Sequence, residues 1–404
     1  MRKSVPKALW TVVRLAVAAG LVAYVVSQVR LHDAVRPGPG REPLPILRET
    51  AEGVVVRTES GAERLIPHEA FGPEGAVRVA GILTIGRRLA ERWGWAVAAL
   101  AAMMLQSPVG AVRWRLLLAV QGIRISFWES LRLTYIGWFF NNWLPGATGG
   151  DFVKAYYIAT RTHHKAEAVT VVFLDRVLGL VGVCAIGAVA VAVSLGDPRV
   201  RVAQVVVGVF LAGTAGFVVV FYSRRVRAWL RVDRWLPRLP MGRVLARVDR
   251  ALFVYRYHKG TVALAILYSW ATQVGSVLAM WWVATGLGSR AAWYHYFLNM
   301  PVVWVGWALV PVPGGLGVAE SLMQHLFGPS VLGGGAGPLP AAEAASLALA
   351  MMVAYRLVQM AVSLPGAFFY LTRRTDVSPS HMREALESPN GEGAQPASAG
   401  EPDR

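Results

Sequence analysis

Asn141–Asp151, NNWLPGATGGD, sets Pro145, three glycines and a carboxylate inside a stretch otherwise apolar enough for a membrane. Pro311–Glu320, PVPGGLGVAE, repeats the pattern: a Pro and Gly break, then an acid, then an apolar helix. A bilayer offers no water to free backbone groups, so a broken segment at membrane depth survives only where protein or a wet cavity surrounds it. Two such breaks predict an internal cavity.

The rest of the chain agrees with a membrane setting. Of its 404 residues 55% are hydrophobic and only 16% charged, with 15 Trp and a mean hydropathy of +0.43; a soluble domain rarely has this balance. The formal charge of +17 does not point to nucleic acid. Much of the excess lies between apolar spans, where positive-inside bias and anionic headgroups account for it. The single cysteine, Cys184, allows no internal disulfide and no Cys-based metal site.

Met1–Lys7, MRKSVPK, is a basic leader to the apolar run Ala8–Val29, which approaches the ~20 residues a span needs. Residues 1–29 read as an uncleaved signal-anchor helix with a cytoplasmic N-terminus. Residues 30–90 form a polar extracytoplasmic insert, with two short strands around a turn at Glu59-Ser60-Gly61. It is too small for its own core and is expected to pack on the membrane-facing surface, on a second copy of the chain or on an envelope partner. Arg78, Arg87, Arg88 and Arg92 count against placing it outside, but the opposite topology exposes a larger basic block.

The flippase-like membrane domain is expected over 91–373. Spans are predicted at Trp93–Val120, Ala168–Leu195, Val202–Tyr222, Thr261–Leu287 and Ala341–Leu371, making six with the first helix. Arg113 is expected to snorkel towards the headgroups. Residues 131–162 are predicted to form a re-entrant hairpin from the cytoplasmic side, and 291–327 a second one from outside. The expected fold is therefore an all-α polytopic membrane protein with two opposed re-entrant hairpins in an inverted repeat. Transporters often place a site near the bilayer midplane in this way. Arg224–Lys259 carries eleven Lys or Arg and is predicted to include a helix lying in the inner interface. Residues 374–404 lack the apolar surface to fold and are read as a disordered cytoplasmic tail.

Asp175-Arg176 lies roughly 12 Å along its span at ~1.5 Å per residue. Neighbours on a helix do not face each other, so each must find a partner elsewhere. Arg113, Arg176 and Arg356 are candidate phosphate partners, since a guanidinium stays charged and can grip oxygens in pairs. Asp151, Asp175 and Glu320 can balance them or meet an amino headgroup, and Asn141 joins the candidate substrate-binding set. Capping their own helices is the competing role for Asp151 and Glu320. Pro145, Gly149, Gly150, Pro313, Gly314 and Gly315 are the candidate gate residues.

RWRLLL at 113–118, NNWLPGATGGD at 141–151, DRVLGL at 175–180, PVPGGLGVAE at 311–320 and YRL at 355–357 form an ordered set. Together they resemble the membrane domain of lysylphosphatidylglycerol synthase/flippases and the small flippase-like proteins related to them, over roughly 95–372. The resemblance implies handling of anionic, aminoacylated or polyprenyl-phosphate-linked membrane lipids. It also implies no lysyl-lipid synthesis by this polypeptide, because the soluble aminoacyl-transferase domain of the two-domain members has no counterpart here. A membrane-embedded transferase with Asp151 or Asp175 as base, and a non-catalytic scaffold, are the alternatives. No nucleotide-binding motif is present, and neither a cofactor nor a metal is assigned. His163-His164 with Glu167 comes nearest to a metal cluster, but adjacent histidines point apart on a helix.

Overall fold

The structure, a computed structural model, describes residues 32–38, 41–58, 60–71, 75–143, 149–159, 165–197, 201–229, 253–309, 318–332, 339 and 341–372. The expected signal-anchor, the tail, Pro145, Pro313, Gly314, Gly315, His163, His164 and most of the basic block lie outside these.

The insert is more than a hairpin. Five antiparallel strands, β1 (Ala34–Arg36), β2 (Leu44–Glu49), β3 (Gly53–Arg57), β4 (Glu63–Pro67) and β5 (Val77–Val79), pair in the order β4-β3-β2-β1-β5. β3 and β4 are the two strands expected from sequence. The expectation that the insert has no core is corrected: Val35, Val54, Val56, Ile66 and Ala76 form a small cluster of their own. Periodicity within one hairpin could not reveal it, because closing the cluster needs strands drawn from both ends of the insert. The sheet packs Val77 and Val79 against Ala345 and Leu349. Arg78 pairs with Glu49, which uses one of the arginines that weighed against an outer location.

The helices that follow among the described residues are α1 (Ile82–Glu91), α2 (Trp93–Val120), α3 (Phe127–Trp143), α4 (Gly149–Ala159), α5 (Lys165–Val193), α6 (Arg201–Tyr222), α7 (Lys259–Gly286), α8 (Trp293–Leu309), α9 (Val318–Phe327) and α10 (Ala341–Thr372), with a short helix at Arg224–Trp229 between α6 and α7. Four stretches among the described residues are long and apolar enough to cross a membrane: Trp93–Val120, Thr170–Val193, Lys259–Gly286 and Glu343–Thr372. This is a mostly helical, polytopic membrane protein. Amphipathic α1 buries Ile85, presents Arg87 and Arg88 outward, and leads directly into α2.

Helix lengths repeat. α2 to α5 run 28, 17, 11 and 29 residues, and α7 to α10 run 28, 17, 10 and 32. α2 and α7, the first helix of each series, run antiparallel, as contacts along them show. Arg92 reaches Thr285 O at 3.3 Å, the Gln106 amide lies 2.7 Å from Ser276 Oγ, and Arg113 donates to Ser269 Oγ at 2.8 Å. Just before α7, the Tyr255 hydroxyl donates to Leu117 O at 2.8 Å. Burial pushes that phenol well above its usual pKa range, so it remains a donor. The remaining packing is reciprocal: α3 lies on α10, while α8, its counterpart, lies on α5. One apolar core is centred on α2 to α5, the other on α7 to α10.

Each broken region is a pair of antiparallel helices. In α3/α4, Asn141 meets Gly150 and Gly137 packs against Lys154; in α8/α9, Asn299 donates to Leu326 O at 3.1 Å. Two glycines set how close α3 comes to its neighbours. A Cβ on Gly150 would lie 1.8 Å from Gly137 O, and one on Gly366 of α10 would lie 2.1 Å from Tyr135 O. Gly366→Leu should therefore push α3 off α10 and cost about 3 kcal/mol or more by overpacking. Thermal unfolding of the detergent-solubilised protein checks this, and an unchanged midpoint would disprove that contact.

Candidate functional site

α5 joins the charged residues of the first half. Asp175 and Arg176 are consecutive, so helical geometry turns them in different directions. Asp175 Oδ1 lies 2.9 Å from Arg113 Nε on α2, and both side chains are largely buried. Arg176 pairs with Asp151 on α4. The predicted snorkelling of Arg113 is corrected. Its guanidinium turns inward because Asp175 and Ser269 offer it acceptors within the protein, which is cheaper than stretching to headgroups.

α4 supplies the rest. Asp151 lies in its first turn, and Asn141 at the end of α3 accepts a 2.8 Å hydrogen bond from the Gly150 N–H, tying the two helices together. Gly149 and Gly150 thus open α4, and Gly150 is buried. One charged residue of this cluster was not singled out in the sequence. Lys154, one turn after Asp151, is buried, with Nζ 3.9 Å from Asp151 Oδ1 and 5.6 Å above the Trp114 ring. Its signal was visible in FVKAYYI, a lysine between apolar residues three positions after an acid, but the break drew attention to Asp151 alone.

The second half repeats the plan more simply. Glu320 stands in the first turn of α9 and is buried, and Arg356 of α10 holds its Oε1 at 3.2 Å. The acid after each break therefore pairs with an arginine of the next long helix. Each acid therefore ties the start of its short helix to a neighbouring long one.

The three groups are not scattered. Asp175 and Arg176 link two of them directly through α5, and α10 relates the two antiparallel helix pairs. Trp143 at the end of α3 donates to Ser363 Oγ at 3.0 Å, while Glu320 meets Arg356 on the same helix. Seven residues of α10 separate those contacts, roughly 10 Å at ~1.5 Å per residue. Among the described residues no group of three or more His, Cys, Asp and Glu could hold a metal ion. Such paired cations and acids can exchange an internal ion pair for a pair with a charged ligand.

These motifs and this packing have relatives. The chain is 24% identical over 250 residues to the UPF0104 membrane protein PH1989 of Pyrococcus horikoshii, a match spanning 54% of this chain and 72% of that one. Residues 76–366 match the family described as the lysylphosphatidylglycerol synthase TM region. The match takes in β5 and α1, which the sequence places in the insert, as well as every ion-paired residue of the membrane helices. With the family's pattern running from the last strand of the sheet to the glycine that seats α10 on α3, this chain belongs to the lysylphosphatidylglycerol synthase transmembrane family.

Proposed function

We propose that this protein carries an anionic, aminoacylated or polyprenyl-phosphate-linked lipid between the leaflets of the cell membrane. In this reading six helices span the bilayer. α3/α4 re-enters from the cytoplasmic side, α8/α9 re-enters from outside, and both termini are cytoplasmic. The antiparallel arrangement of α2 and α7 supports the inverted repeat, and the sheet then lies outside with the start of α10.

One observation carries the proposal: the acid opening α4 and the acid opening α9 are each ion-paired to an arginine within a long apolar helix. A merely structural helix bundle has no need of such pairs, since burying charge costs several kcal/mol per ion. A headgroup crossing the membrane does need them, as exchangeable partners along a polar route while its acyl chains stay in lipid. The lipid named in the family's description supports an anionic or aminoacylated headgroup for this chain as well.

The test is leaflet exchange in vesicles containing the purified protein and a trace of headgroup-labelled phospholipid, read by the fraction an impermeant quencher reaches. Exchange faster than in protein-free vesicles is expected for at least one anionic or aminoacylated lipid. Exchange at the protein-free rate for all of them, with turnover of a lipid-linked sugar donor, would replace transport by transfer chemistry. The same assay gives a smaller prediction. Asn141→Ala removes the acceptor for Gly150 N–H and should slow exchange severalfold by loosening the α3/α4 pair, for about 1 kcal/mol.

A further inference from the structure

α1 is only partly covered by the rest of the protein. Ile85 joins the apolar core centred on α7 to α10, and Leu89 sits on Gly286 of α7, where a Cβ would lie 3.0 Å from Leu89 Cδ2. At ~100° per residue, Gly86, Ala90 and Leu83 come next around the helix, followed by Arg87, Glu91 and Arg88. All six are exposed, Leu83 by 54%. The helix therefore has an apolar sector seated on protein, a second uncharged sector left uncovered, and a charged sector beside it.

The charged sector is basic. Arg87 and Arg88 make no hydrogen bond or ion pair among the described residues, and Arg92, at the bend into α2, donates to Thr285 O at 3.3 Å. Glu91 is the one acid among these three arginines. Beyond the bend, α2 opens with Trp93 and Trp95, 69% and 40% exposed. Tryptophan is favoured where hydrocarbon meets headgroups. α2 is itself one of the candidate spans, so a single residue, Arg92, joins α1 to a helix that enters the bilayer. Beside such a helix, this order of faces fits the membrane interface, with the uncovered apolar sector against acyl chains and the arginines among phosphates. Leu65 of β4 gives the contrast. It is 42% exposed, but it lies on an edge strand beside exposed Glu63 and Arg64.

We infer that α1 docks on an anionic lipid surface. It lies in the headgroup layer of the leaflet on the sheet's side, with Leu83 among the acyl chains and Arg87 and Arg88 on lipid phosphates. β5 ends at Val79 and α1 starts at Ile82, so the same contact holds the sheet at the membrane. It also gives Arg87 and Arg88 a partner where they stand, which removes them as an objection to an outer position. The surface is separate from the ion-paired residues of the membrane helices and needs no transport. Which leaflet it occupies rests on the topology of the transport reading.

The experiment uses the full chain with its one cysteine, Cys184, replaced by Ala, and a fluorophore attached at Leu83→Cys or, as reference, at Leu65→Cys. Both positions are exposed, so the label leaves the packing intact. The protein is reconstituted in phosphatidylcholine vesicles in which a minor fraction of lipid carries a nitroxide quencher high on its acyl chain, under either a phosphatidylglycerol or a phosphatidylcholine headgroup. At Leu83 both lipids should quench, the phosphatidylglycerol form about fivefold more effectively; at Leu65 neither should. Arg87→Gln with Arg88→Gln should abolish that preference and keep the quenching by phosphatidylcholine, because Ile85 and Leu89 still seat the helix. Quenching at Leu83 no greater than at Leu65 overturns the membrane contact. Equal quenching by the two lipids, or a preference that survives in the double variant, overturns the anionic partner. On intact cells, an impermeant thiol reagent reaches Leu65→Cys if the sheet lies outside. Failure of that labelling refutes the topology of the transport reading, while lipid quenching at Leu83 still upholds the docking surface.

Discussion

Glu320→Gln with Arg356→Gln should leave a folded protein whose leaflet exchange is slowed ten- to hundredfold. The double change is chosen because a single one misleads. Arg356 and Glu320 are largely buried and 3.2 Å apart, so removing either leaves an uncompensated charge at a cost of about 3–5 kcal/mol. Two neutral amides keep the size and the hydrogen-bonding capacity of the pair while removing both charges. What is lost is a charge-assisted contact to the moving headgroup, worth about 1.5–3 kcal/mol, hence the size of the expected effect. Gel filtration in detergent reports the fold and vesicle exchange reports the function. Wild-type exchange in a well-folded double variant would reduce the pair to a structural tie.

Asp175→Asn is expected to lower stability as well as transport. From sequence, Asp175 needs a partner beyond its own helix and can either balance an arginine or meet an amino headgroup; in the fold it neutralises Arg113, which also holds Ser269. Deleting the acid strands the guanidinium between α2, α5 and α7, again for about 3–5 kcal/mol. Arg113→Met with Asp175→Leu should restore the unfolding midpoint, because an apolar pair of similar volume replaces a buried ion pair at little or no net cost. Exchange should stay slow in that double variant. If exchange returns along with stability, Arg113 and Asp175 serve only to hold the helices together, and the route runs through Asp151, Arg176 and Lys154.

The membrane character and the helix positions were legible because they are local. Hydropathy summed along Trp93–Val120 marks the same helix in the sequence and in the fold, and the breaks announced themselves by Pro and Gly. The need of Asp175 and Arg176 for separate partners was also legible, since it follows from helical geometry. Their choice of partner was not: Arg113 and Asp151 are each far along the chain, and nothing in the intervening sequence distinguishes them from Arg356 or Glu320. Lys154 was overlooked for a related reason. A lone lysine in an apolar run is costly only if its helix is enclosed, and that depends on Trp114 and Gly137 from two other helices.

The sheet makes the same distinction in the insert. β3 and β4 are adjacent and joined by a turn, so alternation and turn chemistry reveal them. β1 and β5 pair across the whole insert, and their short runs carry no periodicity of their own. By itself the sequence determined that this is a membrane protein of long helices with two breaks and unpaired-looking charges, because solvation and backbone preference act residue by residue. Only the tertiary structure decided which charges neutralise one another and that Lys154 is buried beside Asp151, because ion pairing depends on distances between helices that the order of residues does not contain.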